Sequence, residues 1–167
     1  MHESQNDLRR LQSLLDASYQ AAGAHHAEIH SDRVRLTAAE LAEALPWMQV
    51  LVVATVSSDG RPFVGPVDAF LLRGRIYFGT SPQALRARHL LRNPAVSATF
   101  VHGEELVVTA HGRALPVDLD ADTALVDHLI THYGQQWWQE WGRSGAYFVI
   151  EPDRLFAADM RRHQHVA

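Results

Sequence analysis

Between Gln49 and Leu115 the chain repeatedly turns back on itself through connections too short to hold a crossover. Ser58-Asp59-Gly60 joins the β-branched, apolar run Gln49 to Ser57 to a second run, Pro62 to Leu72. Arg73-Gly74 leads directly into a third, Arg75 to Gly79, and His102-Gly103-Glu104 joins Val96 to Val101 with Glu105 to Leu115. Short turns containing glycine make hairpins. Strands joined in this way are antiparallel, because parallel neighbours need a connection of a dozen residues or more. With Ala146 to Ala157 as the last strand the count is six, and the pattern predicts a closed antiparallel barrel over a parallel α/β sheet.

Helices flank this core. Ser4 with Asp7 resembles a helix start, and Leu8, Leu11, Leu15, Tyr19 and Ala22 follow at helical spacing, so residues 5–22 read as an amphipathic helix. Its apolar face needs cover, from the barrel or from a partner chain. Residues 23–33 are His-rich and unpatterned and read as a linker. Thr37 and Glu40 form a capping box with Leu36 and Leu41 as its staple, which predicts a short helix over 38–45, stopped at Pro46. Ser81-Pro82 reads as an N-cap with proline at the first helical position, and that helix runs to Arg92 before Asn93-Pro94. Asp120 opens another, carrying Val126, Leu129, Ile130 and Tyr133 on one face, and a Trp-rich segment, Gln135 to Gly142, follows. The organisation expected is an N-terminal helical extension and linker over 1–33, one barrel domain over 34–160 and a tail over 161–167.

Composition narrows the chemistry. A chain of 167 residues suits one domain and can bury a core without staples. It has no cysteine, which removes disulfides, thiolate catalysis and cysteine-ligated metal, and fits a reducing cytoplasm. The polar, acidic start lacks the order of a signal peptide, and the longest apolar run, Val50 to Ala54, is too short to cross a bilayer. A formal net charge of −4 disfavours nucleic acid as a partner. No Ser-His-Asp order or paired-carboxylate motif supports hydrolysis.

Two segments could hold a ligand. In Ile76 to Arg86 a strand ends in Gly79 and the hydroxyl residues Thr80 and Ser81, and a helix begins; such a junction suits an anion. Arg86 opposes the helix macrodipole unless an anion is bound there, and the helical wheel places it to reach inward, with Arg88 and Arg92 on the outer face. A solvated basic helix with an ordinary cap is the alternative. In Arg61 to Asp68, Gly65 leaves room for a flat ring and Pro66 cannot donate to a sheet ladder; the local pattern fits better a strand bent to close a barrel.

The ordered set Ala54-Thr55-Val56-Ser57-Ser58-Asp59-Gly60-Arg61-Pro62, Gly65-Pro66-Val67, Arg75-Ile76-Tyr77-Phe78-Gly79-Thr80 and Arg86-Ala87-Arg88-His89-Leu90-Leu91-Arg92-Asn93-Pro94 resembles the pyridoxamine 5'-phosphate oxidase-like flavin-binding split barrels. Gly112-Arg113-Ala114 and Glu151-Pro152-Asp153-Arg154-Leu155-Phe156-Ala157 extend the likeness over roughly residues 40–158. The resemblance implies an α+β fold: a six-stranded antiparallel split β-barrel with flanking helices and an N-terminal helical extension. It implies a homodimer with its cofactor at the subunit interface, FMN by preference. The 8-hydroxy-5-deazaflavin coenzyme is the alternative, and haem a more distant one. Carried over residue by residue, Gly65, Pro66, Val67 and Asp68 would run beside the ring, Phe78, Gly79, Thr80 and Ser81 would lead from ring to phosphate, and Arg86 would stand where the family has a phosphate-binding lysine.

The chain departs from the pattern at Leu85, Gly65 and Phe70, where basic residues are usual, and the C-terminal substrate-phosphate motif is not recognisable. Oxidation of pyridoxamine phosphate itself is therefore not expected. The expected activity is hydride transfer between a small organic substrate and a flavin-type cofactor. The competing class is a non-catalytic carrier or stress sensor of flavin or haem. Trp137, Trp138 and Trp141 could form a lid over a flat ring, but fit core or interface packing better. His25-His26 and His163-Gln164-His165 read as exposed segments. Asp68 could tune the ring, orient a substrate or pair with a surface arginine.

Overall fold

The computed structural model describes residues 3–103 and 105–163, apart from the side chains of Ala27 and His163. Glu104 of the third turn and Gln164-His165 of the terminal His motif lie outside the described residues. The helices are α1 (Gln5–Gln20), α2 (Ala24–Ile29), α3 (Ala38–Ala44), α4 (Leu85–Arg92), α5 (Thr123–Tyr133) and α6 (Gln135–Glu140). The strands are β1 (Gln49–Val56), β2 (Pro62–Leu72), β3 (Arg75–Thr80), β4 (Ala95–His102), β5 (Leu106–Pro116) and β6 (Ala146–Asp159). All six strands pair antiparallel in the order β1-β2-β3-β6-β5-β4, and β4 returns to β1 to close the barrel.

The two-residue period of each strand divides its side chains between an inner and an outer face. Leu51, Val53, Val67, Ala69, Leu71, Ile76, Phe78, Ala98, Phe100, Val108 and Phe148 fill the interior. Outside, Phe70, Leu72, Tyr77, Tyr147 and Val149 form a second apolar layer with Leu125 and Leu129 of α5 and Trp138 of α6. This layer holds α5 and α6 against β2, β3 and β6. A register shift between His111 and Gly112 kinks the β5–β6 ladder. A Cβ on Gly112 would stand 2.3 Å from the Glu151 carbonyl oxygen and 2.7 Å from Pro152 Cα, so only glycine fits there.

β6 outruns its neighbour. Only Ala146 to Ile150 pair with β3, leaving a free edge further along. The N-terminal segment satisfies it. Ser18 Oγ accepts from the Leu155 N–H at 2.9 Å, and the Tyr19 hydroxyl accepts from the Ala157 N–H at 3.0 Å while donating to the Ala157 carbonyl at 2.8 Å. The Leu36 N–H donates to the same carbonyl at 2.9 Å, and the Asp159 N–H donates to the Val34 carbonyl at 2.8 Å. Buried backbone groups need such partners. Helix α1 therefore covers its own barrel, with Leu11, Leu15 and Tyr19 in the main core.

Both capping boxes form as read, at Ser4–Asp7 and at Thr37–Glu40. Three local expectations are corrected. The stretch read as a linker contains α2, because His26 and His30 act as packing rings: His26 lies 4.2 Å from Phe156 and 4.4 Å from His30, so His26 is half-buried rather than exposed. The cap of helix α5 lies at Asp122, two residues after the expected Asp120, because Asp122 takes the Leu125 N–H at 3.1 Å and also binds Arg73. Helix α4 starts at Leu85 and not at Pro82, because Ser81 spends its hydroxyl on Gln83, accepting its N–H at 3.2 Å and donating to Oε1 at 2.7 Å. A serine closing a local turn in this way is not available as a helix cap.

Candidate cofactor and substrate site

The late start of α4 places Arg86 in the helix's first turn, where a cation opposes the macrodipole most directly. Its half-buried side chain turns back to the barrel. Nη1 donates to the Pro66 carbonyl at 2.9 Å and to the Gly65 carbonyl at 3.3 Å. Arg86 forms no ion pair among the described residues, so two neutral carbonyls hold a full positive charge. A Cβ on Gly65 would come within 3.0 Å of Arg86 Nη2, so the missing side chain at 65 is what admits the guanidinium. Both arginines assigned to the outer face, Arg88 and Arg92, are exposed, and Arg92 also donates to the Val56 carbonyl at 2.8 Å.

Beside this cation a cavity of about 450 Å³ opens between the outer face of the barrel and helices α5 and α6. Asp68, Gly79, Thr80 and Ser81 line it, as do the rings of Phe70, Tyr133, Trp137, Trp141 and Tyr147. It thus gathers four of the nine residues singled out from the sequence. Gly65, Pro66 and Arg86 lie outside its lining and form the neighbouring carbonyl–guanidinium cluster. Val67 and Phe78 are buried in the barrel core, because the strand period points their side chains inward; only their backbone can meet a ligand.

The tryptophans separate by role. Trp138 is core, Trp137 is half-buried and stacks on Tyr133 at 4.1 Å, and Trp141 is 68% exposed at the cavity wall. Asp68 pairs with no arginine among the described residues; its carboxylate accepts from the Tyr133 hydroxyl at 3.3 Å. Burial, reinforced by the Asp68 charge, pushes the Tyr133 phenol well above its ordinary range. Burial pushes Tyr147 up to about 12, and its hydroxyl donates to the Gly142 carbonyl at 3.0 Å. Both phenols therefore keep their protons at neutral pH and serve as donors and walls, not as bases.

Sequence reasoning missed Tyr147 and Met48 as wall residues and gave Tyr133 only a packing face. Tyr133 and Trp137 were read in separate segments, and the join of α5 to α6 at Gly134 stacks them on each other.

The residues suit a flat, phosphate-bearing group. Arg86 and the Thr80 hydroxyl supply anion donors, and the rings supply stacking faces; the Ser81 O–H is given to Gln83. They suit haem poorly: among the described residues no histidine lines the cavity, and its possible iron ligands are Met48 and the phenols of Tyr133 and Tyr147, which keep their protons.

A family model described as pyridoxamine 5'-phosphate oxidase matches residues 37–163. The chain belongs to this family. Within the pyridoxamine 5'-phosphate oxidase family and its structural neighbours, likeness in fold outruns likeness in sequence. A conserved hypothetical protein from Mycobacterium tuberculosis shares 20% identity at a TM-score of 0.67, covering 83% of this chain and 94% of that one. The haem storage protein HutZ from Vibrio cholerae shares 22% at a TM-score of 0.61, over 72% of this chain and 93% of that one. An FAD-binding protein from Mesorhizobium loti shares 24% at a TM-score of 0.55, over 73% and 94%. A search of curated proteins found no match. The pyridoxamine 5'-phosphate oxidase match spans every strand of the barrel and leaves α1 and α2 outside it. No helix among the described residues is long and apolar enough to cross a membrane.

Proposed function

We propose that this chain is a homodimeric, cytoplasmic oxidoreductase that binds FMN and exchanges a hydride with a small organic substrate. One observation carries the reading: among the described residues Arg86 has no carboxylate partner and is held on the carbonyls of Gly65 and Pro66, in the strand whose Asp68 lines an aromatic cavity with Thr80 and Ser81. A bound phosphate would neutralise Arg86 and align with the macrodipole of α4. FMN, when bound, supplies the redox chemistry. The chain's own residues hold and orient: Thr80 offers its hydroxyl, Pro66 and Asp68 flank the ring, and Tyr133 and Trp137 exclude water.

The deazaflavin coenzyme is the second reading, kept by the absence of any lysine, arginine or histidine from the cavity lining among the described residues, which leaves Arg86 as the principal phosphate cation. A dimer is supported by the outer face of β1, β2 and β4. There Val50 is 60% exposed, Val64 72% and Val101 56%, and no described helix covers them. Absence of cysteine fits the reducing compartment. The test is an absorbance titration with FMN and, separately, with the deazaflavin coenzyme. Saturable binding with a spectral shift identifies the cofactor. Binding of neither, with a Soret band appearing on addition of haem, replaces the oxidoreductase by a haem carrier.

A further inference from the structure

We propose that Thr55 and His89 form a positioning pair that holds the Arg86 guanidinium in place and so sets the chain's preference for a phosphate-bearing ligand. The inference rests on the reading above that Arg86 meets the cofactor's phosphate, and it names what makes that arginine effective.

The inward positions of β1 include Leu51, Val53 and Thr55, all buried. The third is polar, and a buried hydroxyl needs a partner. It finds one on α4. Thr55 Oγ1 and His89 Nδ1 share a hydrogen bond at 3.0 Å, with Thr55 2% exposed and His89 6%. Phe63, opposite Thr55 in the β1–β2 ladder, sets its ring steeply against His89 with 5.1 Å between centres. His89 lies outside the cavity lining.

His89 stands three residues after Arg86, on the same side of the helix. Thr55 stands two residues from Val53, the ladder partner of Gly65. One buried bond therefore ties the helix that carries the cation to the strand pair that receives it. Ala87 and Leu90 also bury α4 in the main core, but apolar contacts are non-directional and do not fix the roll of a helix. A hydrogen bond does, because it weakens steeply off-axis. Arg92 also reaches β1, at the Val56 carbonyl, but through a long exposed side chain. The roll matters: about 10° carries a side-chain end ~6 Å from the helix axis through about 1 Å. Arg86 has less room than that, with Nη1 2.9 Å from the Pro66 carbonyl oxygen and Nη2 3.0 Å from where a Cβ on Gly65 would stand.

Fluorescence titration of the full chain with FMN and with riboflavin, which lacks the phosphate, tests this. Thr55→Val keeps the shape and removes the bond. It is expected to weaken FMN binding about fivefold or more and to leave riboflavin unchanged. Thr55→Ser retains a hydroxyl and is expected to keep the FMN affinity. His89→Leu breaks the bond from the other side and carries the test should Thr55→Val not fold. On an Arg86→Ala background, Thr55→Val is expected to cost nothing further. Equal losses of FMN and riboflavin, or a loss that persists without Arg86, mean packing alone and overturn the proposal. An FMN affinity that falls with Arg86→Ala but ignores Thr55→Val sinks this inference alone. Indifference to Arg86→Ala, or no FMN binding at all, sinks the phosphate reading and this inference with it.

Discussion

Arg86 and Gly65 act as a unit, and each explains the other. A cation in the first turn of α4 works against the helix field, and the carbonyls of Gly65 and Pro66 offset that only with partial charges. We expect Arg86→Ala to weaken cofactor affinity at least tenfold, about 1.4 kcal/mol, as read by fluorescence titration. An unchanged affinity would remove Arg86 from the site. Stability should move in the other direction or not at all, since an unfavourable helix charge is lost. Asp68, one strand position beyond Val67, shows how much a single step in a pleat decides: its carboxylate meets the cavity while the Val67 side chain is enclosed in the barrel.

Among the elements, the late part of β6 depends most on its neighbours. Tyr19→Phe would leave the Ala157 N–H without its acceptor in a buried setting, a loss of about 1–3 kcal/mol, measurable as a lower urea midpoint at unchanged slope. Helix α3 adds a pH term. The Glu40 carboxyl is held below its ordinary range, first by the Thr37 N–H and then by Arg162. A depressed carboxyl contributes stability that is complete above its unfolded-state value and is lost as pH falls through its folded-state value. Lowering pH from about 6 to about 3 should therefore cost stability, and Glu40→Gln should flatten part of that slope. These elements also show what could be read in advance. Strands and capping boxes were legible because their signals are local: a two-residue period, a hydroxyl three residues before a carboxylate. The start of α4 was not, because Ser81 had two local partners to choose between and the sequence does not rank them. Helix α2 was not, because its histidines serve as rings on Phe156, a partner far along the chain. Four of the nine candidate site residues met in one cavity; its tyrosine and tryptophan wall came from segments that read as packing, and only tertiary structure brings the two together.

For the molecule as a whole, the uncovered valines of β1, β2 and β4 are the outstanding feature. Val50 and Val101 flank the Leu51–Phe100 pair, and Val64 stands opposite Ala54, four residues along β1 on the same outer face. Burying one such side chain is worth about 1.5–3 kcal/mol, enough that a charge there should break an association. Light scattering is expected to give a dimer for the natural chain and a monomer for Val64→Glu, with cofactor affinity falling alongside. A monomeric natural chain that still held cofactor would sink the interface arrangement.

The edge of β6 that α1 completes also fixes an order of events in synthesis. Tyr19 leaves the ribosome 138 residues before Ala157, the residue whose N–H and C=O it binds. Until then α1 has only α3 to cover part of its apolar face. A chain stalled anywhere short of β6 therefore exposes its first helix to proteases and chaperones. Docking of α1 on β6 joins segments far apart in the chain, and contacts of such long sequence separation slow folding.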